Sequence, residues 1–196
     1  MNEKFELLTE LIHSRRAIFP QNYKPGRISA EILEAILENA RWAPNHKKTE
    51  PWRFVLIQND ALKDLSEFLS NRYKLNTSAE NFDPVKFKKA GEKPLQSAAV
   101  LAICIQRSPA TVIPEWEETA ALACAVQNIW LSCTALGIGS YWSSPDAIHH
   151  MKEFLSLSEN EFCLGLFFMG WSDYEAPVPN RKPLSEIVRR MGQAEV

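Results

Sequence analysis

Residues 98–105 read Ala98-Ala99-Val100-Leu101-Ala102-Ile103-Cys104-Ile105, an unbroken apolar run with Ser97 before it and Gln106 after it. A run of this length with polar ends is the pattern of a strand buried on both faces. Such a strand needs cover above and below, so it belongs in the middle of a layered domain.

Working outward, Trp52-Arg53-Phe54-Val55-Leu56-Ile57 has the aromatic and β-branched character of a second strand. Asn59-Asp60 follows as turn and cap, opening a helix through Leu62, Leu65, Phe68 and Leu69. Upstream, Phe5, Leu8, Leu11 and Ile12 recur at helical steps from Glu3 to His13. A further helix starts at the N-cap Ser29, buries Ile32, Leu33, Ile36, Leu37 and Ala40, and stops at Pro44. Downstream, Glu115-Trp116-Glu117-Glu118 after Pro114 opens a long helix to Leu136, ended by Gly137. That helix is apolar on almost every side, which places it centrally. Ile138–Trp142 and Phe162–Met169 read as strands, with a helix over Ala147–Leu155 between them. The segment between Asn76 and Pro94 is polar, contains Pro and Lys, has weak periodicity, and reads as a mobile flap over a site. Helices and strands alternate, so the expected fold is α+β: a three-layer α/β/α sandwich around a mixed sheet, in a single domain over residues 1–196.

With 45% hydrophobic and 23% charged residues, the composition is that of a globular domain that needs no staples. The net charge of -2 and scattered basic residues argue against nucleic acid as partner. No apolar run approaches the ~20 residues of a membrane span. The start of the chain has no secretory pattern, and a cytoplasmic location is expected. Cys104, Cys124, Cys133 and Cys163 sit singly in apolar segments, away from any Cys/His cluster, and read as reduced core thiols rather than a metal site.

The common cofactor fingerprints are missing: no G-x-G-x-x-G after a strand, no phosphate loop with a Gly-Lys-Ser end, no H-E-x-x-H, no G-x-S-x-G. What remains are polar and aromatic segments at element ends. Arg15 and Arg16, with Arg181 far along the chain, can converge on a phosphate through their guanidinium forks, or can stand as unrelated surface arginines. His46, beside Lys47 and Lys48, can meet an anionic ring edge or be simply solvated. Trp42 and Trp142 fit packing or interface roles at least as well as cofactor stacking.

The arrangement of these segments resembles the nitroreductase-like FMN enzymes, and most closely their short bacterial members, over nearly the full chain. The resemblance rests on Ser14-Arg15-Arg16-Ala17 after the first helix, Ala43-Pro44 with Pro51-Trp52-Arg53-Phe54, and Asn45-His46-Lys47. It continues through Trp116-Glu117-Glu118 to Cys124-Ala125-Val126-Gln127-Asn128, the turn Gly137-Ile138-Gly139 leading to Trp142-Ser143-Ser144, Gly170-Trp171, and the proline-flanked Arg181. It implies an intertwined homodimer with FMN at the subunit interface. Arg15, Arg16, the Ala17 backbone and Arg181 would hold the phosphate and ribityl chain. Trp142, Ser143 and Ser144 would lie along the flavin, while Trp42 and His46 would reach in from the partner, His46 being the one candidate proton donor. The implied activity is ping-pong hydride transfer from NADH or NADPH through flavin N5 to a nitroaromatic or quinone-like acceptor.

The sequence departs from the family pattern at several of these places. Ala17 stands where a serine is usual, Phe19 where larger members carry a cation near the flavin pyrimidine, Glu50 where glutamine is common, and Trp42 where relatives carry arginine. Charge beside the reduced ring must therefore come from elsewhere. Two rival readings follow: the same fold serving another acceptor, as in enoyl reduction, dehalogenation or dehydrogenation, and a non-catalytic flavin-binding protein.

Overall fold

Helix starts fall where a side chain can close the first turn. Ahead of α1 (Glu3–Ser14), Asn2 Oδ1 accepts from the Phe5 amide at 3.0 Å. Ser29 Oγ accepts from Ile32 N at 3.3 Å ahead of α2 (Ala30–Ala40). Asp83 Oδ1 accepts from Val85 N at 2.8 Å ahead of α4 (Pro84–Leu95), whose Pro84 needs no donor in the first turn. The remaining helices of this computed structural model, which describes residues 2–108 and 113–192, are α3 (Ala61–Asn76), α5 (Glu115–Ala135), α6 (Met151–Phe154) and α7 (Leu184–Ile187).

The strands are β1 (Trp52–Ile57), β2 (Ala99–Gln106), β3 (Ile138–Ser143) and β4 (Glu161–Trp171), in spatial order β1-β2-β4-β3. Every neighbouring pair among them is antiparallel, so the sheet is not the mixed one expected. The reason lies in the connections. The hairpin of α3 and α4 returns the chain to the end where β1 finished, so β2 runs back along it. The single long helix α5 does carry β2 to a strand of the same direction, β3, but β4 inserts between the two and pairs antiparallel with both.

Alternation along β2 divides the core. Leu101, Ile103 and Ile105 meet α2 and α5 through Leu33, Ile36, Leu122, Val126 and Ile129. Val100, Ala102 and Cys104 face the other way, toward Leu65 and Leu69 of α3, Met151 and Phe168. Three layers result, with β2 buried throughout except at Gln106.

Three further expectations are corrected. Residues 76–94 contain a 3₁₀ turn (Ala79–Asn81) and most of α4; the buried positions Gly91 and Pro94 give the helix only a narrow apolar face, which is why its periodicity is weak. The helix expected over Ala147–Leu155 is a 3₁₀ turn (Asp146–His150) followed by the single turn of α6. Finally, α5 is covered on one side only: Ala120, Ala123 and Cys124 are exposed, so Cys124 is not a core thiol, whereas Cys104, Cys133 and Cys163 are buried. The small side chains of that bare face lower its contrast with the buried stripe, and sequence cannot tell a covered apolar face from one awaiting a cover.

Candidate functional site

Where α1 ends, the chain turns into an extended segment along the outer edge of β3. The Ile18 amide donates to Ser140 O at 3.0 Å, adding a backbone rung to that edge. Tyr23 fastens the segment from behind. Its hydroxyl lies 2.8 Å from Ile18 O and 3.1 Å from Phe168 O, and burial pushes its pKa above the ordinary phenol value. Trp130 of α5 fastens it from the other side, Nε1 donating to Arg16 O at 3.1 Å.

This anchorage fixes the arginines. The Arg15 guanidinium sits 4.5 Å above the Trp130 ring. Arg16 folds back, Nη1 donating to His13 O at 2.5 Å and Nε to Pro177 O at 3.3 Å, so it ties the exposed C-terminal segment to the end of α1. That tie brings Arg181 to the same place. Arg15, Arg16 and Arg181 line one open cavity of about 630 Å³ together with His13 and Gln127. The Arg15 pKa is lowered, first by burial and then by the charges of Arg181 and Arg16. Among the described residues no carboxylate lines that cavity. Ala17 is exposed beside it and contributes only backbone.

The other sequence candidates lie elsewhere on the chain. Trp42 is 79% exposed and sits over a shallow groove formed with Leu11, Asn128 and Leu131. His46 Nδ1 is in hydrogen-bond contact with the Glu117 carboxylate in the first turn of α5. The loop that carries it is strained: Lys47, Lys48 and Glu50 have φ of 51°, 56° and 41°, unusual for residues with a Cβ. Asn45 Oδ1 holds it by accepting from Glu50 N at 3.2 Å, and Thr49 Oγ1 donates to His46 O at 3.2 Å. Neither Trp42 nor His46 lines the arginine cavity within this chain.

On β3, consecutive side chains part. Trp142 packs toward the α2–α5 core, its indole lying against Gly165, where an added Cβ would come within 2.0 Å of Nε1. Ser143 points the opposite way, into a cavity of about 360 Å³ beneath the α3–α4 hairpin. Ser144 is exposed beyond it. Phe19 packs tilted against Tyr141 with centroids 4.7 Å apart, and Tyr141 stacks on Phe168 at 5.6 Å. Lys93 of α4 lies 5.4 Å from the Tyr141 ring and donates to its hydroxyl at 3.2 Å. Sequence reading did not single out Lys93 or Tyr141. Only the hairpin geometry of α3 and α4 carries Lys93 to a strand 48 positions later in the chain.

The fold and this segment order define a class. Residues 12–171 match the Nitroreductase family, and the chain belongs to it. It is 26% identical over 191 residues to a Bacillus subtilis protein named "Putative NAD(P)H nitroreductase YfhC", covering 94% of both chains. Solved structures establish the fold. A nitroreductase-like family protein from Bacillus cereus superposes with TM-score 0.80 at 23% identity, over 95% of this chain and 96% of that one. The FMN-dependent nitroreductase NfnB from Mycobacterium smegmatis, solved in complex with NADPH, gives 0.77 at 18% identity, over 96% and 100%.

Proposed function

We propose that this chain is an FMN-dependent oxidoreductase that takes electrons from NADH or NADPH and passes them to a nitroaromatic or quinone-like acceptor, working as a homodimer. The observation that carries the reading is the convergence of Arg15, Arg16 and Arg181 on one cavity free of carboxylates among the described residues. Three like charges held together at a cost that includes a lowered Arg15 pKa call for an anion, and a phosphate monoester matches guanidinium geometry. These residues therefore fit the phosphate end of FMN. When bound, FMN supplies a two-electron carrier that can be reduced by a nicotinamide and reoxidised by the acceptor.

The chain's own part is to bind and orient. The rung between Ile18 and Ser140 fixes the arginine segment relative to β3, and so relative to Ser143. The aromatic cluster of Phe19, Tyr141 and Phe168 forms a wall at that end, and Lys93 supplies the positive charge that Phe19 lacks. Trp42 and His46 serve the site of the other subunit; the contact of His46 Nδ1 with Glu117 orients the imidazole and leaves Nε2 free to meet a ligand.

Dimerisation is supported by what the single chain leaves bare. Helix α1 has no buried residue although Phe5, Leu8 and Ile12 form an apolar stripe, and Trp42 and Trp116 are 79% and 67% exposed. An apolar surface of this kind marks an interface.

The test is an anaerobic visible spectrum of FMN-supplemented, desalted protein, followed on addition of NADH or NADPH, with sedimentation to give the oligomeric state. Retained flavin that bleaches in a dimer is the expected result. Loss of the flavin on desalting would refute the arginine clamp, and retained flavin that never bleaches would leave a binding protein in place of an enzyme.

A further inference from the structure

The cavity beneath the α3–α4 hairpin has a chemistry of its own. Its walls are mainly apolar, with Leu69 and Phe168 among them, but two cations reach it, Arg72 from α3 and Lys93 from α4. Neither has an acidic partner among the described residues. The Arg72 guanidinium lies 5.6 Å above the Phe68 ring, and Lys93 spends its contact on Tyr141. Asp146, the acid on the wall, is engaged by Asn76 Nδ2 at 2.5 Å. A half-buried guanidinium over an aromatic face, next to an apolar slot, is arranged to take a carboxylate attached to a flat hydrophobic body. The volume of about 360 Å³ is at the small end for ligand cavities and suits one or two fused rings.

We propose that this cavity is the acceptor subsite and that it selects planar aromatic carboxylic acids, the carboxylate held by Arg72 and the ring lying between Leu69 and Phe168. Ser143 links it to the flavin-lining stretch, so its role as acceptor subsite rests on the flavin reading, while its preference for an aromatic acid does not. Arg72 acts here as a specificity-determining residue, reading the charge of the ligand.

The probes are 2-naphthoate and its neutral counterpart 2-naphthamide, titrated calorimetrically into the full-length protein with and without FMN and with no nicotinamide present. A charge-assisted bidentate contact predicts that the acid binds at least about tenfold tighter than the amide. Arg72→Gln should erase that difference while leaving the amide affinity unchanged, and Arg72→Lys, which keeps the charge but not the fork, should keep part of it. Equal affinities for the two probes, or an unchanged preference in Arg72→Gln, would overturn the proposal. Displacement of FMN by 2-naphthoate would also overturn it, since the acid would then occupy the flavin's own place. Acid-selective binding to a protein that holds no FMN would uphold the cavity's selectivity while refuting the flavin reading, which keeps the two failures apart.

Discussion

Replacing Arg15 by Gln separates a binding residue from a structural one. The substitution keeps most of the aliphatic stem and removes the charge over Trp130, so without ligand it gives up a surface cation–π contact of about 0.5–1 kcal/mol. It also removes a half-buried charge and relieves repulsion from Arg181 and Arg16, the causes, burial first, that lower the Arg15 pKa. The two effects oppose each other, and the unfolding free energy of the flavin-free protein should change by less than about 1 kcal/mol. Binding should respond differently. A hydrogen bond to a charged group contributes about 1.5–3 kcal/mol, and Arg16, whose Nε and Nη1 are held by Pro177 O and His13 O, keeps only its Nη2 end for the phosphate and cannot take over the contact of Arg15 as well. The FMN dissociation constant should therefore rise by about tenfold to about a hundredfold. Quenching of FMN fluorescence on titration reads the affinity, and urea denaturation of the flavin-free protein reads the stability. An affinity within twofold of the parent would refute the clamp. A large loss of stability with the affinity change would show that Arg15 acts through folding and not through the phosphate.

Three further outcomes are expected. Glu118→Ala removes a buried carboxylate that accepts from Arg107 Nη1 at 3.0 Å and Ser108 N at 3.3 Å; because Arg107 keeps Glu115 O and Thr119 Oγ1, the cost in urea denaturation should be about 3 kcal/mol, the low end for breaking a buried pair. Gly165→Ala drives a methyl group into the Trp142 indole and to within 2.9 Å of Ser143 O, so β3 must shift; a loss of about 1–3 kcal/mol with weaker FMN retention is expected from thermal melts and desalting. Burial pushes the Cys133 thiol from 9.0 up to about 12, so between those values the unfolded chain ionises and the folded one does not. Stability contributed by this group is complete below pH 9 and falls as pH rises toward 12; melting curves across that range should show the decline, and Cys133→Ala should remove the part that starts near pH 9.

Local signals in the chain were dependable where a single residue decides the geometry. Ser29 capping α2, Gly137 with φ of 71° ending α5, and the strand Trp52–Ile57 all lie where composition and spacing place them. The antiparallel sense of strand pairing was not legible, because it depends on which strand enters between β2 and β3, a choice made by tertiary packing. Helix α4 was hidden for a related reason: its buried positions are only Gly91, which lies against Ser66 and Ser70 of α3, and Pro94, too few to imprint a strong period. At the site, Arg15 and Arg16 could be suspected from their place after α1, and Arg181 from the resemblance. Tyr23, Lys93 and Arg72 could not, since each gains its meaning from a partner distant in sequence: Phe168 O for Tyr23, Tyr141 for Lys93, and the shared cavity wall for Arg72.

The rung between Ile18 and Ser140 has a consequence for handling the protein. Strand β3 is an outer strand, and residues 17–19 are what shields its open side. An unshielded strand of this kind is a template for pairing with another molecule. On the proposed function, the segment Arg15 to Phe19 carries two of the phosphate-binding arginines as well as the edge guard, so whatever loosens one loosens the other. Flavin-free stocks, or variants such as Tyr23→Phe that lose the fastening behind Ile18, should be the ones that precipitate on storage, and added FMN should preserve solubility as well as activity.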